Sequence, residues 1–296
     1  AMFSCNNFYI KSGNESGTSE ASVKGAYNWK ISDENIYLNL ENHEKIEESF
    51  YGTEVFLKEI KECPIFDLNF NQLIYVLRTK TSLGNTKTIW EDDKDVDVYL
   101  KYIDENGEEF DKKIDFSYWL VFDQIEDNSK INLDEFISYT KEKDRTDFEK
   151  RNKLRDKIIY KKGEYVHRNN RKIKYIACFV PNRKVWKQLS IDFDLCNQEQ
   201  IDEEGWLDQY GYTIFQNGIY TSVKGMPTGI KIDKPVTGSA GYWSNMFILL
   251  EDQQLKFDVG RKSIHGSQAM ILKKYAKKIF NKFLDYVRKY VSGSVN

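Results

Sequence analysis

Arg261 and Lys262 close the alternating segment Leu255-Lys256-Phe257-Asp258-Val259-Gly260 and stand just before a long basic stretch that begins near Ser267. This spacing predicts a strand that delivers two cations to a loop at a helix start. Ser263 or Ser267 is placed to cap that helix, because a hydroxyl accepts from the unpaired N–H groups of a first turn. Two cations beside such N–H groups make a receptor for an anion, most simply a phosphate oxygen. The plain alternative is a strand, a turn and an amphipathic helix with solvated charges, since short motifs arise by chance.

The basic stretch has chemistry of its own. Leu272, Tyr275, Ala276, Ile279, Phe280, Phe283 and Val287 recur at steps of three and four, so one helix face must cover a core. The opposite face carries Lys273, Lys274, Lys277, Lys278, Lys282, Arg288 and Lys289 against Asp285 alone. A stripe of this kind is either a solvated face or a docking surface for a phosphate backbone or an acidic partner domain. Lys150–Arg155 and His167–Lys172 are two further basic segments that add to it if the fold brings them together.

Other candidate chemistries are thinner. Arg78–Lys87 mixes cations, hydroxyls and a glycine, as phosphate-contacting loops do, yet matches neither a P-loop nor a dinucleotide fingerprint, which favours a connecting loop. Asp252 and Asp258 near Lys262 invite a nuclease reading, but the spacing is wrong for that motif. No Ser/His/Asp order with a nucleophile elbow is present, so no independent catalytic site is expected. The four cysteines are far apart and none pairs with a histidine at metal-ligand spacing, so no metal site is expected. Cys178, inside Ile176-Ala177-Cys178-Phe179-Val180, reads as a small buried hydrophobe. His265 is the histidine to watch, four residues after Arg261.

The order of acidic turn, Leu-x-Phe-x-Val, small residue, arginine, basic residue and lysine-rich amphipathic helix resembles the end of the middle domain of heat-shock chaperones of the ninety-kilodalton class. That domain is the transducer of the GHKL ATPases, the superfamily of gyrase B, those chaperones, histidine kinases and mismatch-repair ATPases. The resemblance covers about Ile219 to Tyr290. It implies that Arg261 reaches the γ-phosphate of ATP bound in a neighbouring nucleotide domain, with Lys262 beside it. The chaperones carry Ser-Arg-Glu where this chain has Gly260-Arg261-Lys262, so the role of that acid does not transfer. Upstream, Tyr51–Ile60 resembles the Gly-Thr strand that closes the nucleotide domain of the same ATPases.

The family's magnesium-binding Asn, adenine-reading Asp and Gly-rich lid are not visible between Ala1 and Phe50. Asn39 and Asn42 are not followed by Asp-x-Gly-x-Gly, and Gly13, Gly17 and Gly25 are scattered. The resemblance therefore implies a transducer with its ATP half absent, either a fragment or a degenerate relative. No cofactor is expected in this chain alone; ATP and magnesium would belong to an upstream nucleotide domain. The expected partners are that domain in cis or trans, nucleic acid through the basic faces, and a second copy in a homodimer. A nucleic-acid-binding module of a defence or repair system and a plain interaction domain are the alternatives.

These residues must be positioned by a chain of 296 residues, 40% hydrophobic and 15% aromatic, enough for a sizeable core and two domains. Only four prolines and 30% charged residues, with a net charge of −2, fit an α+β protein without bulk attraction to nucleic acid. Apolar runs such as Met246–Leu250 fall far short of the about 18 residues that span a bilayer. No signal peptide is read in Ala1–Cys5, so the expectation is a cytoplasmic protein with no membrane contact.

Along the chain, Ser12–Ser19 reads as a polar loop or arm, with strands at Ala26–Ile31, Ile36–Leu40 and Thr53–Ile60. A helix is predicted at Asn69–Thr79 and a hairpin at Val96–Trp119 turning at Asn106-Gly107. A linker is placed near Asp123–Lys130, then helices between Leu133 and Ile159 with Asp134 or Asp144 as caps. A strand at Lys172–Val180, a helix at Asn182–Leu189, a hairpin around Asn217-Gly218, a strand at Asn245–Leu250 and a helix at Ser267–Val291 complete the series. The expected fold is α+β, with mixed or antiparallel sheets, helices on one face and a long C-terminal amphipathic helix. The division is residues 1–125 as a nucleotide-domain remnant with a hairpin, and 131–296 as a transducer-like domain.

Overall fold

Polar side chains do not keep the first stretch of chain from pairing. In the computed structural model, which describes residues 5–28, 38–44, 51–60, 64–93, 96–103, 106–123, 125–236, 239–257 and 263–290, Cys5–Asn14 (β1) and Gly17–Lys24 (β2) form an antiparallel hairpin. This replaces the expected arm at Ser12–Ser19. The turn is local chemistry: Asn14 Oδ1 accepts from the Ser16 N–H at 2.8 Å, and Gly17 adopts a φ of 145°, which only glycine takes without strain. Asn39–Glu44 (β3) and Gly52–Ile60 (β4) complete a sheet in the order β3-β2-β1-β4. The strand expected at Ala26–Ile31 falls on a turn through Asn28 and then outside the described residues.

The chain divides into compact units at Asp67/Leu68, residues 1–67 and 68–296. The expected boundary near Asp123–Lys130 lies instead inside the second unit. Tyr118, Trp119, Leu120, Val121 and Phe122 are buried in one core with Ile74, Ile176 and Trp186. Five consecutive apolar residues just before a polar segment anchor that part of the chain in the core of the second unit.

In the second unit Phe70–Lys80 (α1) starts at Asn69, whose side chain and that of Gln72 form a reciprocal capping box. Val98–Ile103 (β5) and Glu109–Ile114 (β6) pair as the predicted hairpin, with Gly107 at a φ of 81°. Lys130–Asn132 (β7) leads to Leu133–Thr140 (α2) and Asp147–Leu154 (α3). Their caps are Asn132 and Thr146 rather than Asp134 and Asp144, each accepting from a backbone N–H two or three residues on. Next come Ile158–Val166 (β8), Lys172–Phe179 (β9), Lys184–Asp192 (α4), Gln198–Asp202 (α5) and Trp206–Tyr210 (α6). Gly218–Val223 (β10), Met226–Ile232 (β11), Met246–Asp252 (β12) and Gly266–Tyr290 (α7) complete the unit. The β10–β11 turn is Lys224-Gly225, both at positive φ, and not Asn217-Gly218.

These elements build a six-stranded mixed sheet in the order β11-β10-β12-β9-β8-β7. The β10–β12 and β7–β8 pairs are parallel and the others antiparallel. Successive strand residues face opposite ways, so a strand that is apolar throughout must be buried on both faces. Met246, Ile248 and Leu250 join Ile173, Tyr175, Ala177 and Phe179 in one core, against α2, α3 and α7. Phe247 and Leu249 join Ile176 and Cys178 in the other, against α1 and α4 to α6. The α+β class is as expected, while helices cover both faces of this sheet and not one.

Helix α7 spans 25 residues, and all seven residues of its predicted apolar face are buried. Phe280 stacks flat on Trp243, with ring centres 3.9 Å apart and planes at 5°. Cys178 is buried in β9, and that burial pushes its thiol well above the usual range.

Candidate functional site

Arg261, Lys262 and Asp258 lie outside the described residues. Their frame is described on both sides. Phe257 and Ile264 pair as an antiparallel bridge, and the His265 N–H donates to the Lys256 carbonyl at 3.1 Å. The His265 carbonyl in turn accepts from Gln268 and Ala269, so His265 and neither Ser263 nor Ser267 takes the cap position of α7. Ser267 lies inside the first turn, with its hydroxyl 3.0 Å from His265 Nδ1.

Below this frame is a buried ion pair. Asp252, at the end of β12, is fully buried, and Arg171, just before β9, has a side chain only 7% exposed. Arg171 Nε donates to both Asp252 oxygens at 3.0 Å, while its Nη2 donates to Asp252 Oδ2 and to Gln268 Oε1. One guanidinium thereby ties the ends of two central strands to the first turn of α7. The Asp252 carboxylate is committed to that tie, which removes it from the Asp252–Asp258–Lys262 nuclease reading.

The basic face of α7 is not a uniform stripe. Lys273 pairs with Asp233 at 3.3 Å, and Lys282 with Asp134 at 3.6 Å. Lys161 donates to the same Asp134, holding its carboxyl below the usual carboxylate range. Lys278 lies over the rings of Tyr275 at 5.2 Å and Tyr165 at 5.7 Å, and Tyr165 stacks on Tyr175 at 5.3 Å. Lys274 and Lys277 are exposed and face no carboxylate among the described residues. The two other basic segments do flank this helix: α3 packs against α7, and His167 Nδ1 lies 3.0 Å from the Tyr275 hydroxyl.

The Arg78–Lys87 segment is a packed connection. Thr79 and Thr81 donate back to carbonyls of α1, and Arg78 is held by the Ser117 carbonyl at 2.9 Å and Asp115 at 3.2 Å. A Cβ on Gly84 would fall 2.0 Å from the Arg78 carbonyl oxygen, so only glycine lets the chain fold back here. Thr86, Ser222 and the Gly225 N–H all donate to the buried Glu251 carboxylate, which fastens this loop to the β10–β11 turn. Sequence reading missed Glu251, Arg171 and Asp252 as organisers, because each is defined by partners distant in the chain.

No protein-family model matches this chain, and no curated protein matches it significantly. Among the described residues, no helix is long and apolar enough to cross a membrane.

Proposed function

We propose that this chain is the transducer portion of a GHKL-type ATPase. Arg261, assisted by Lys262, senses the γ-phosphate of ATP held with magnesium by a nucleotide-binding domain in cis or trans. The observation that carries this reading is the pairing of the chain on either side of them: a bridge between Phe257 and Ile264, and the Arg171–Asp252–Gln268 tie. The described chain on either side of the two cations is joined to the end of β12 and to the first turn of α7. A cation beside a γ-phosphate loses its partner on hydrolysis, which shifts a two-state domain arrangement. Helix α7, with its 25 residues, would pass that shift along about 37 Å.

Arg261→Ala separates this role from a structural one. As an ordinary surface change it should alter stability by no more than about 0.5 kcal/mol in a thermal melt. In the assembled ATPase it should slow turnover about 10-fold or more and leave ATP affinity nearly intact, because the contact strengthens as charge develops in transfer. A loss of several kcal/mol in the melt would overturn the assignment.

Nucleic-acid docking on Lys273, Lys274, Lys277, Lys278 and Lys282 has less behind it, since Lys273 and Lys282 already face Asp233 and Asp134. Each phosphate contact on duplex DNA contributes a slope of about 0.9 in log affinity against log salt, so Lys274, Lys277 and Lys278 give at most about 3. Gel shifts across a salt series measure this slope. A value near 5 would require the whole lysine face and would favour docking over coupling.

A further inference from the structure

Most buried or half-buried cations around the central sheet face an acid: Arg78 has Asp115, Lys161 has Asp134, Arg171 has Asp252 and Lys174 has Glu91. Lys80, the half-buried last residue of α1, departs from this pattern, and beside it lies Lys231, an exposed residue of β11. Neither has a carboxylate within 4.0 Å among the described residues. Both ammonium groups instead lie over one ring, that of Tyr220 in β10, at 5.1 and 5.7 Å from its centre. Tyr220 is itself stacked on Phe247 at 5.3 Å, which leaves the ring fixed as a platform.

The stem of Lys231 runs against the backbone of β10, where a Cβ on Gly218 would sit 2.4 Å from Lys231 Cε. Two like charges brought together over an aromatic ring repel each other, and the ring quadrupole offsets only about 0.5–2 kcal/mol per cation. The carbonyls at the end of α1 favour Lys80 through the helix dipole. Burial, and then the neighbouring Lys231, bring the Lys80 ammonium down to about 8. Among the described residues no carboxylate faces either ammonium.

We propose that Lys80 and Lys231 bind a small phosphate-bearing ligand, most simply a diphosphate, across the face of Tyr220. Two ammonium groups on separate elements match a ligand carrying at least two negative charges, with one oxyanion for each. Such a ligand would bind α1 to the β10–β11 hairpin, on the opposite side of the sheet from α7, so the site is independent of Arg261 and of the coupling role.

Titration calorimetry of the full chain with sodium pyrophosphate tests this. A Kd below about 1 mM is expected. Lys80→Met and Lys231→Met should each weaken binding about 10-fold or more, as for loss of a charge-assisted hydrogen bond. Lys274→Met, on the exposed face of α7, should leave it unchanged. Lys231 is exposed, so its variant keeps the test valid even if Lys80→Met folds poorly. Gly218→Ala, which crowds the Lys231 stem, should also weaken binding. No heat of binding, equal losses in all three lysine variants, or displacement of pyrophosphate by oligonucleotide at equal phosphate concentration would overturn the proposal.

Discussion

Asp252→Ala should lower the melting midpoint of the 68–296 unit by roughly 10 °C, from a loss of about 3–5 kcal/mol. The substitution removes a carboxylate with no exposed surface and leaves the Arg171 guanidinium buried with Gln268 alone. An uncompensated buried charge costs more than the pair ever contributed, because desolvation persists after the attraction is gone. The double change Arg171→Met with Asp252→Leu should therefore recover most of the loss. Calorimetric melts of both variants decide it. A single mutant within about 1 kcal/mol of the parent would mean that water reaches Arg171 readily and that the tie is weak.

Phe280→Ala should cost about 3–5 kcal/mol, read as a lower midpoint in urea unfolding. Phe280 has no exposed surface, and its ring lies flat against Trp243, itself 3% exposed. Truncation opens a cavity between α7 and the segment before β12 that close-packed neighbours fill only partly. Phe280→Leu keeps most of the volume and should cost markedly less. Equal losses for the two variants would indicate that ring stacking matters more than the void.

The elements that a sequence reader sees best are those whose pattern is local. Helix α7 repeats its apolar face over seven positions, α1 shows helical apolar spacing through Phe70, Leu73, Ile74 and Leu77, and β12 is apolar at every step from Met246 to Leu250. Strand β8 escaped because Lys161, Lys162 and Glu164 interrupt its pattern. Those charges are satisfied from afar, Lys161 by Asp134 and Lys162 by the Ile89 carbonyl at 3.2 Å. The first hairpin escaped because its serines, threonines and glycines read as a loop, although cross-strand pairing suits them on an exposed sheet.

The same limit applies to the candidate sites. The lysines of α7 are legible as a face, yet their pairing with Asp233 and Asp134 is not, since those acids come from elsewhere in the fold. Arg171 and Asp252 stand 81 residues apart, and Lys80 meets Lys231 only through Tyr220. A charge can be counted in a sequence, but its partner is a property of the closed chain.

Strand β12 sits between β9 and β10 in the sheet although it comes after both in the chain. The β8–β9 and β10–β11 hairpins close through nearby residues and can form early, but they cannot join each other directly. Each half must wait with an open edge until β12 slots between them, one side parallel and the other antiparallel. Pairings of long sequence separation form slowly, because loop entropy is lost before contacts compensate for it. Unpaired strand edges attract other chains in the meantime. Docking of β12 is therefore the step expected to limit assembly of this sheet, so substitutions in β12 should slow refolding more than those in the β8–β9 hairpin.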